Sequence, residues 1–232
     1  MAPTSSTCRP PLPRPIQASD YADLIKNDVE LYPTENPLTP AVLAKWFAHH
    51  AQFGMMYDTF GCCIFVPLLP STWNKFIRKE IEEAALVDGI FDAATSSTGE
   101  LCLHLYHIEK SSKWTRQFER MAHVVIQDVC HLIRELNYDR SQSPIRVVGC
   151  SALAVSDAGY RMSRDVFQMS LLFEPEEFLF RHRTRGHVTI VHALDCVGDR
   201  APSPNEWEKF GEARLMAVTG YDACAKVFKS AE

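Results

Sequence analysis

The chain has 232 residues, of which 46% are hydrophobic and 23% charged, with a formal net charge of -5. That length can bury one substantial core, and the composition is that of a globular protein. A net negative chain without a basic stripe interleaved with aromatics argues against nucleic acid as a partner, and no apolar run approaches the length of a membrane span.

The 8 cysteines, Cys8, Cys62, Cys63, Cys102, Cys130, Cys150, Cys196 and Cys224, lie mostly in apolar runs and without CxxC spacing. They read as free thiols in a reducing compartment, not as a zinc or redox centre. The start is rich in Pro, Ser and Thr and has no apolar core of a secretory signal. Its first nineteen residues carry arginine and no acid, as transit peptides do, but the prolines oppose the amphipathic helix such peptides need. The expectation is a cytoplasmic protein.

Residues 1–19 are expected to be a disordered Pro-rich tail, and residues 20–232 a single α/β domain with a C-terminal helical extension. Residues 32–38 read as an irregular loop. Thr39 then caps a helix with Pro40 at its first position, running through Val42, Leu43, Trp46 and Phe47 to about His50. Residues 55–57 and 62–69 have the pattern of two strands joined by a turn at 58–61, and a helix containing Trp73, Phe76 and Ile77 begins near Ser71. No regular element is assigned between residues 80 and 98, which are acidic, alanine-rich and end in a Ser-Ser-Thr-Gly turn.

Residues 101–136 are the best-patterned stretch. Positions 101–109 are apolar at most alternate sites on both faces, as in a strand covered on both sides. After a polar joint, Phe118, Met121, Ala122, Val125, Val129, Leu132, Ile133 and Leu136 recur with helical spacing. Where a strand turns into a helix in this way, free N–H groups and the helix dipole suit a phosphate. Further on, residues 145–153 read as a parallel strand, and Ser156 and Asp157 cap a helix containing Tyr160, Met162 and Val166. Residues 167–173 and 188–194 read as strands, with 178–180 continuing or pairing with the first. A helix is expected from Pro204 and Asn205 to Met216, then a short one holding Val227 and Phe228.

This order of strands and helices resembles that of the GNAT superfamily of acyl-CoA-dependent N-acyltransferases, over roughly residues 20–180. The resemblance implies a mixed twisted sheet flanked by helices and an acetyl-CoA substrate. Lys110, Ser111, Ser112, Lys113, Trp114, Thr115 and Arg116 would then occupy the pyrophosphate loop. It also implies direct acetyl transfer to an amine, either on a small molecule or on a protein. A base is needed near the end of the central strand. Ideal alternation places His107 and Glu109 on one face with Leu101, Leu103 and Leu105, so Glu109 is the first candidate and His107 the second. Tyr160 lies on the helix where GNAT enzymes often place a general-acid tyrosine.

The run from Ser111 to Gln117 has no glycine where the family carries several. This motivates an alternative, a GNAT-like domain without cofactor that serves as an interaction module. No metal site is expected, because His104 and His107 are three apart in a strand and point to opposite faces. Ser151 lacks the full Gly-x-Ser-x-Gly frame of a nucleophile elbow. The apolar residues of 221–228 could pack on the domain itself or on a second copy, giving a homodimer.

Overall fold

The computed structural model describes residues 12–31, 38–110, 120–140, 143–174, 177–184, 187–192 and 207–229. The chain enters the fold earlier than the Pro-rich composition suggests. Strand β1 (Arg14–Pro15) pairs antiparallel with β2 (Gly54–Met56), and Ile16 is buried in the core. The Arg14 guanidinium grips the Asp20 carboxylate through two bonds of 2.7 and 2.8 Å, closing this segment onto a 3-10 turn at Ala18–Asp20. The structureless reading of residues 12–19 is therefore corrected: one buried isoleucine and a strand partner outweigh the tail's composition. Helix α1 (Tyr21–Leu31) follows, in a stretch where no element was expected.

Helix α2 (Pro40–Trp46) begins as its sequence dictates, with the Thr39 hydroxyl accepting from the Val42 N–H at 3.3 Å and Pro40 in the first turn. It ends short of the expected His50. The hairpin of β2 and β3 (Gly61–Leu68) turns through Asp58 at φ 52, a left-handed conformation that aspartate tolerates. Helix α3 (Pro70–Ile77) and a 3-10 segment (Glu83–Gly89) lead to the central strand β4 (Glu100–Lys110). Helix α4 (Met121–Leu136) then buries Met121, Val125, Ile126, Val129 and Leu132 along one stripe. Next come β5 (Arg146–Ala154) and α5 (Asp157–Asp165), whose cap Ser156 accepts from the Gly159 N–H at 3.1 Å. The remaining elements are β6 (Ser170–Leu171), β7 (Glu177–Thr184), β8 (His187–His192), β9 (Trp207–Thr219) and α6 (Tyr221–Lys229).

The strands form one mixed sheet in the order β1-β2-β3-β4-β5-β9-β7-β8, with β6 also on β9. Among the described strands, β4 and β5 form the parallel pair and the other ladders are antiparallel. The protein is thus α/β with an open mixed sheet. Helices α4 and α6 cover one face, over Phe65, Leu101, Leu103 and Leu105; α1, α2 and α3 cover the other, over Ile64, Val66 and Cys102. Six cysteines among the described residues are buried and form no disulfide with one another. No helix among the described residues is long and apolar enough to cross a membrane.

Two sequence expectations fail in the last third. The helix expected up to Met216 is the long strand β9, whose second half lies between β5 and β6. There Met216 and Val218 enter one core while Leu215 and Ala217 enter the other. Burial on both faces produces a continuous apolar run without alternation, which a helix produces equally well. The strand expected over residues 167–173 shrinks to Ser170–Leu171, because Gln168 at φ 52 breaks the extended chain beside the buried Phe167 and Met169.

Candidate functional site

The candidate site lies at the C-terminal end of β4, where the ladder with β3 is irregular. Up to Leu105, which faces Phe65, the register is regular; beyond it His107 faces Ile64 and Glu109 faces Cys62. Tyr106 is the extra residue of a β-bulge, standing between the Leu105 and His107 pairs. Without it Glu109 would face Gly61, so the bulge brings Glu109 opposite Cys62.

The bulge also exchanges faces. Directly opposed residues of an antiparallel pair project to the same side. Ile64 and Cys62 belong to the core beneath α1, α2 and α3, and so His107 and Glu109 project there. Leu101, Leu103 and Leu105 project to the opposite side, into the core beneath α4. The expectation from ideal alternation is corrected accordingly: His107 and Glu109 share a face with each other but not with the three leucines. His104 packs edge-on against Phe76 and so lies on that same face, which removes the geometric argument that separated His104 from His107.

His107 Nε2 lies 3.3 Å from Glu109 Oε2, and the ligand atoms of Cys62, His107 and Glu109 all fall within 4.8 Å of one another. Cys62 and His107 are buried, while the Glu109 side chain is 30% exposed and opens the cluster to solvent. Burial alone would depress His107, but hydrogen bonds to the Cys62 thiol and the Glu109 carboxylate, with their charges, overcome it and raise its pKa to about 10. At neutral pH His107 is therefore a donor, not a base. Behind it, Asp28 of α1 is 4% exposed. Its Oδ1 accepts from the Tyr106 hydroxyl at 3.4 Å. Desolvation raises the Asp28 pKa, opposed by the facing charge of His107 and by the Leu38 amide.

A separate polar cluster lies further back along β4. Ser151 Oγ is 2.9 Å from both Trp73 Nε1 and His104 Nδ1, and His104 Nε2 is 2.7 Å from Glu83 Oε1. Indole N–H only donates, so the serine oxygen accepts from Trp73; the Glu83 carboxylate only accepts, so His104 Nε2 donates to it, and in that tautomer of the neutral ring Nδ1 accepts the serine proton. Ser151 and His104 are fully buried, so this chain of bonds ties α3 and the 3-10 segment to the sheet and meets solvent at the Glu83 carboxylate.

The other expected site residues are placed as follows. Lys110 ends β4 opposite Gly61. Ser111, Ser112, Lys113, Trp114, Thr115 and Arg116 lie outside the described residues. Tyr160 on α5 packs against the α4-side core, with the Arg214 and Arg164 guanidiniums 5.0 and 5.5 Å from its ring centre. The structure thus joins His107 to Glu109 and puts Tyr160 on the other face of the sheet. Cys62 and Asp28 were not singled out from the sequence. The former is brought in by the shifted register and the latter by a helix with no clear sequence signal.

The last β4–β5 pair is Leu105 with Ala152, yet β4 continues to Lys110 and β5 to Ala154. The two parallel strands therefore part on the approach to His107 and Glu109. Comparison with family models, curated proteins and solved structures returned no match.

Proposed function

We propose that the protein is an acyl-CoA-dependent N-acetyltransferase of GNAT type, moving an acetyl group from acetyl-CoA to an amine. The observation that carries this reading is the parting of the parallel strands β4 and β5 after Leu105 and Ala152, beside an acid and base pair at the end of β4. Where two parallel strands are no longer bonded to each other, an amide-bearing arm can run between them. In this reading Glu109 removes the amine proton, and the imidazolium of His107 holds that carboxylate in place. Lys110 and the residues 111–116 would meet the pyrophosphate.

The glycine-free run 111–117 favours a second reading, in which the same fold serves as a binding module without CoA. One experiment separates the two. Binding of CoA at a hundred times its Kd stabilises a protein by about 2.7 kcal/mol, which for a chain of this length raises Tm by roughly 5–10 °C. Acetyl-CoA is expected to give such a shift. Glu109→Gln should keep the shift and lose acetyl transfer to a panel of amines. An unchanged Tm at millimolar CoA would leave the binding-module reading in its place.

A further inference from the structure

We propose that Cys62, His107 and Glu109 form a binding site for a single divalent ion of the zinc class, held through thiolate sulfur, imidazole nitrogen and carboxylate oxygen. Their ligand atoms lie within 4.8 Å of one another. A tetrahedral ion with bonds of about 2.0–2.3 Å places its ligand atoms roughly 3.3–3.6 Å apart. The distance of 3.3 Å between His107 Nε2 and Glu109 Oε2 already matches one edge of that figure. The ligands sit on two hydrogen-bonded strands, with Cys62 directly across from Glu109 and His107 two residues before it. Small side-chain rotations therefore close the site without moving backbone.

A second observation points to a cation. The buried Asp28 carboxylate lies within electrostatic reach of His107, and its Oδ2 makes no hydrogen bond of good geometry among the described residues. The cluster thus sets a thiol and a carboxyl about one imidazole, with the Asp28 carboxylate within electrostatic reach, and a dication offsets the charge of the deprotonated ligands more fully than a single imidazolium can. A mixed sulfur, nitrogen and oxygen set suits zinc better than calcium or magnesium, which take oxygen ligands. Exposure at Glu109 leaves room for water at a fourth position. Binding releases the thiol and imidazolium protons to solvent.

The inference does not rest on acyl transfer. A loaded site takes up the lone pairs of His107 and Glu109, so metal occupancy and a basic Glu109 exclude each other in one molecule. The test uses the full chain, stripped by a chelator under reducing conditions, then titrated with Co²⁺ by absorbance and with Zn²⁺ against a chromophoric chelator. One equivalent of Co²⁺ is expected to give a thiolate-to-cobalt charge-transfer band that Cys62→Ser abolishes. Glu109→Gln, a change of matching shape at a part-exposed position, should weaken Zn²⁺ by more than about 10-fold while the metal-free chain still unfolds in one cooperative transition. No charge-transfer band, a band that survives Cys62→Ser, or equal Zn²⁺ affinity in Glu109→Gln would each overturn the proposal. Neither readout involves CoA.

Discussion

Ser151→Ala tests the buried polar chain directly. The hydroxyl is fully buried and serves Trp73 Nε1 and His104 Nδ1, each at 2.9 Å. Removing it leaves one donor and one acceptor without partners in a site closed to water. At about 1–3 kcal/mol for each of the two unsatisfied buried groups, a loss of about 2–6 kcal/mol is expected. Urea unfolding followed by circular dichroism measures this as a lower midpoint at unchanged slope. A double-mutant cycle sharpens the test: Trp73→Phe removes a satisfied donor in the wild type but an orphaned one in Ser151→Ala. The two substitutions should therefore be non-additive, with a coupling of about 1–2 kcal/mol. A loss below about 1 kcal/mol for Ser151→Ala, or strict additivity in the cycle, would refute the donor assignment.

Gly61 is at φ +155, and a Cβ there would lie 2.1 Å from the Glu109 carbonyl oxygen. Gly61→Ala should cost about 3 kcal/mol and, by pushing β3 from β4, weaken any activity that depends on Glu109; a variant as stable as wild type by thermal melting would contradict this. Burial depresses the pKa of His50, whose Nε2 accepts from the Ala93 N–H at 3.0 Å. The unfolded chain then binds the proton more readily, so stability present above about pH 6.5 falls as the pH drops below it, by up to about 1.4 kcal/mol per pH unit. Urea midpoints at neutral pH and pH 5.5 should show a smaller acid loss for His50→Gln than for wild type, and equal losses would count against the assignment.

The elements with strong periodicity were legible. Strand β4, helix α4, the Thr39 and Ser156 caps and the β2–β3 turn all follow from local chemistry that tertiary contacts do not reverse. Strand β9 was not, because its amino acids satisfy a helical pattern as well as a strand buried on both faces, and only its neighbours decide between them. The candidate site was half legible. His107 and Glu109 stand out as polar residues at the end of an apolar strand, but their direction depends on one extra residue at Tyr106, and period-two reasoning cannot locate a bulge. Cys62 looked like one more buried thiol until the register placed it across from Glu109, and Asp28 depended on α1.

The position of β9 bears on how the molecule is assembled. Strand β5 is complete by residue 154, but the partner for its second edge is not made until residues 214–219. During synthesis the growing sheet carries a bare central edge through some sixty residues of further translation, with Cys150 and Ala152 next to unsatisfied backbone groups. Such an edge is a template for foreign strands, so the yield of folded protein should depend on how quickly the last segment is delivered. Slowing translation between residues 155 and 213 would lengthen the hazard, whereas slowing it before residue 146 would not.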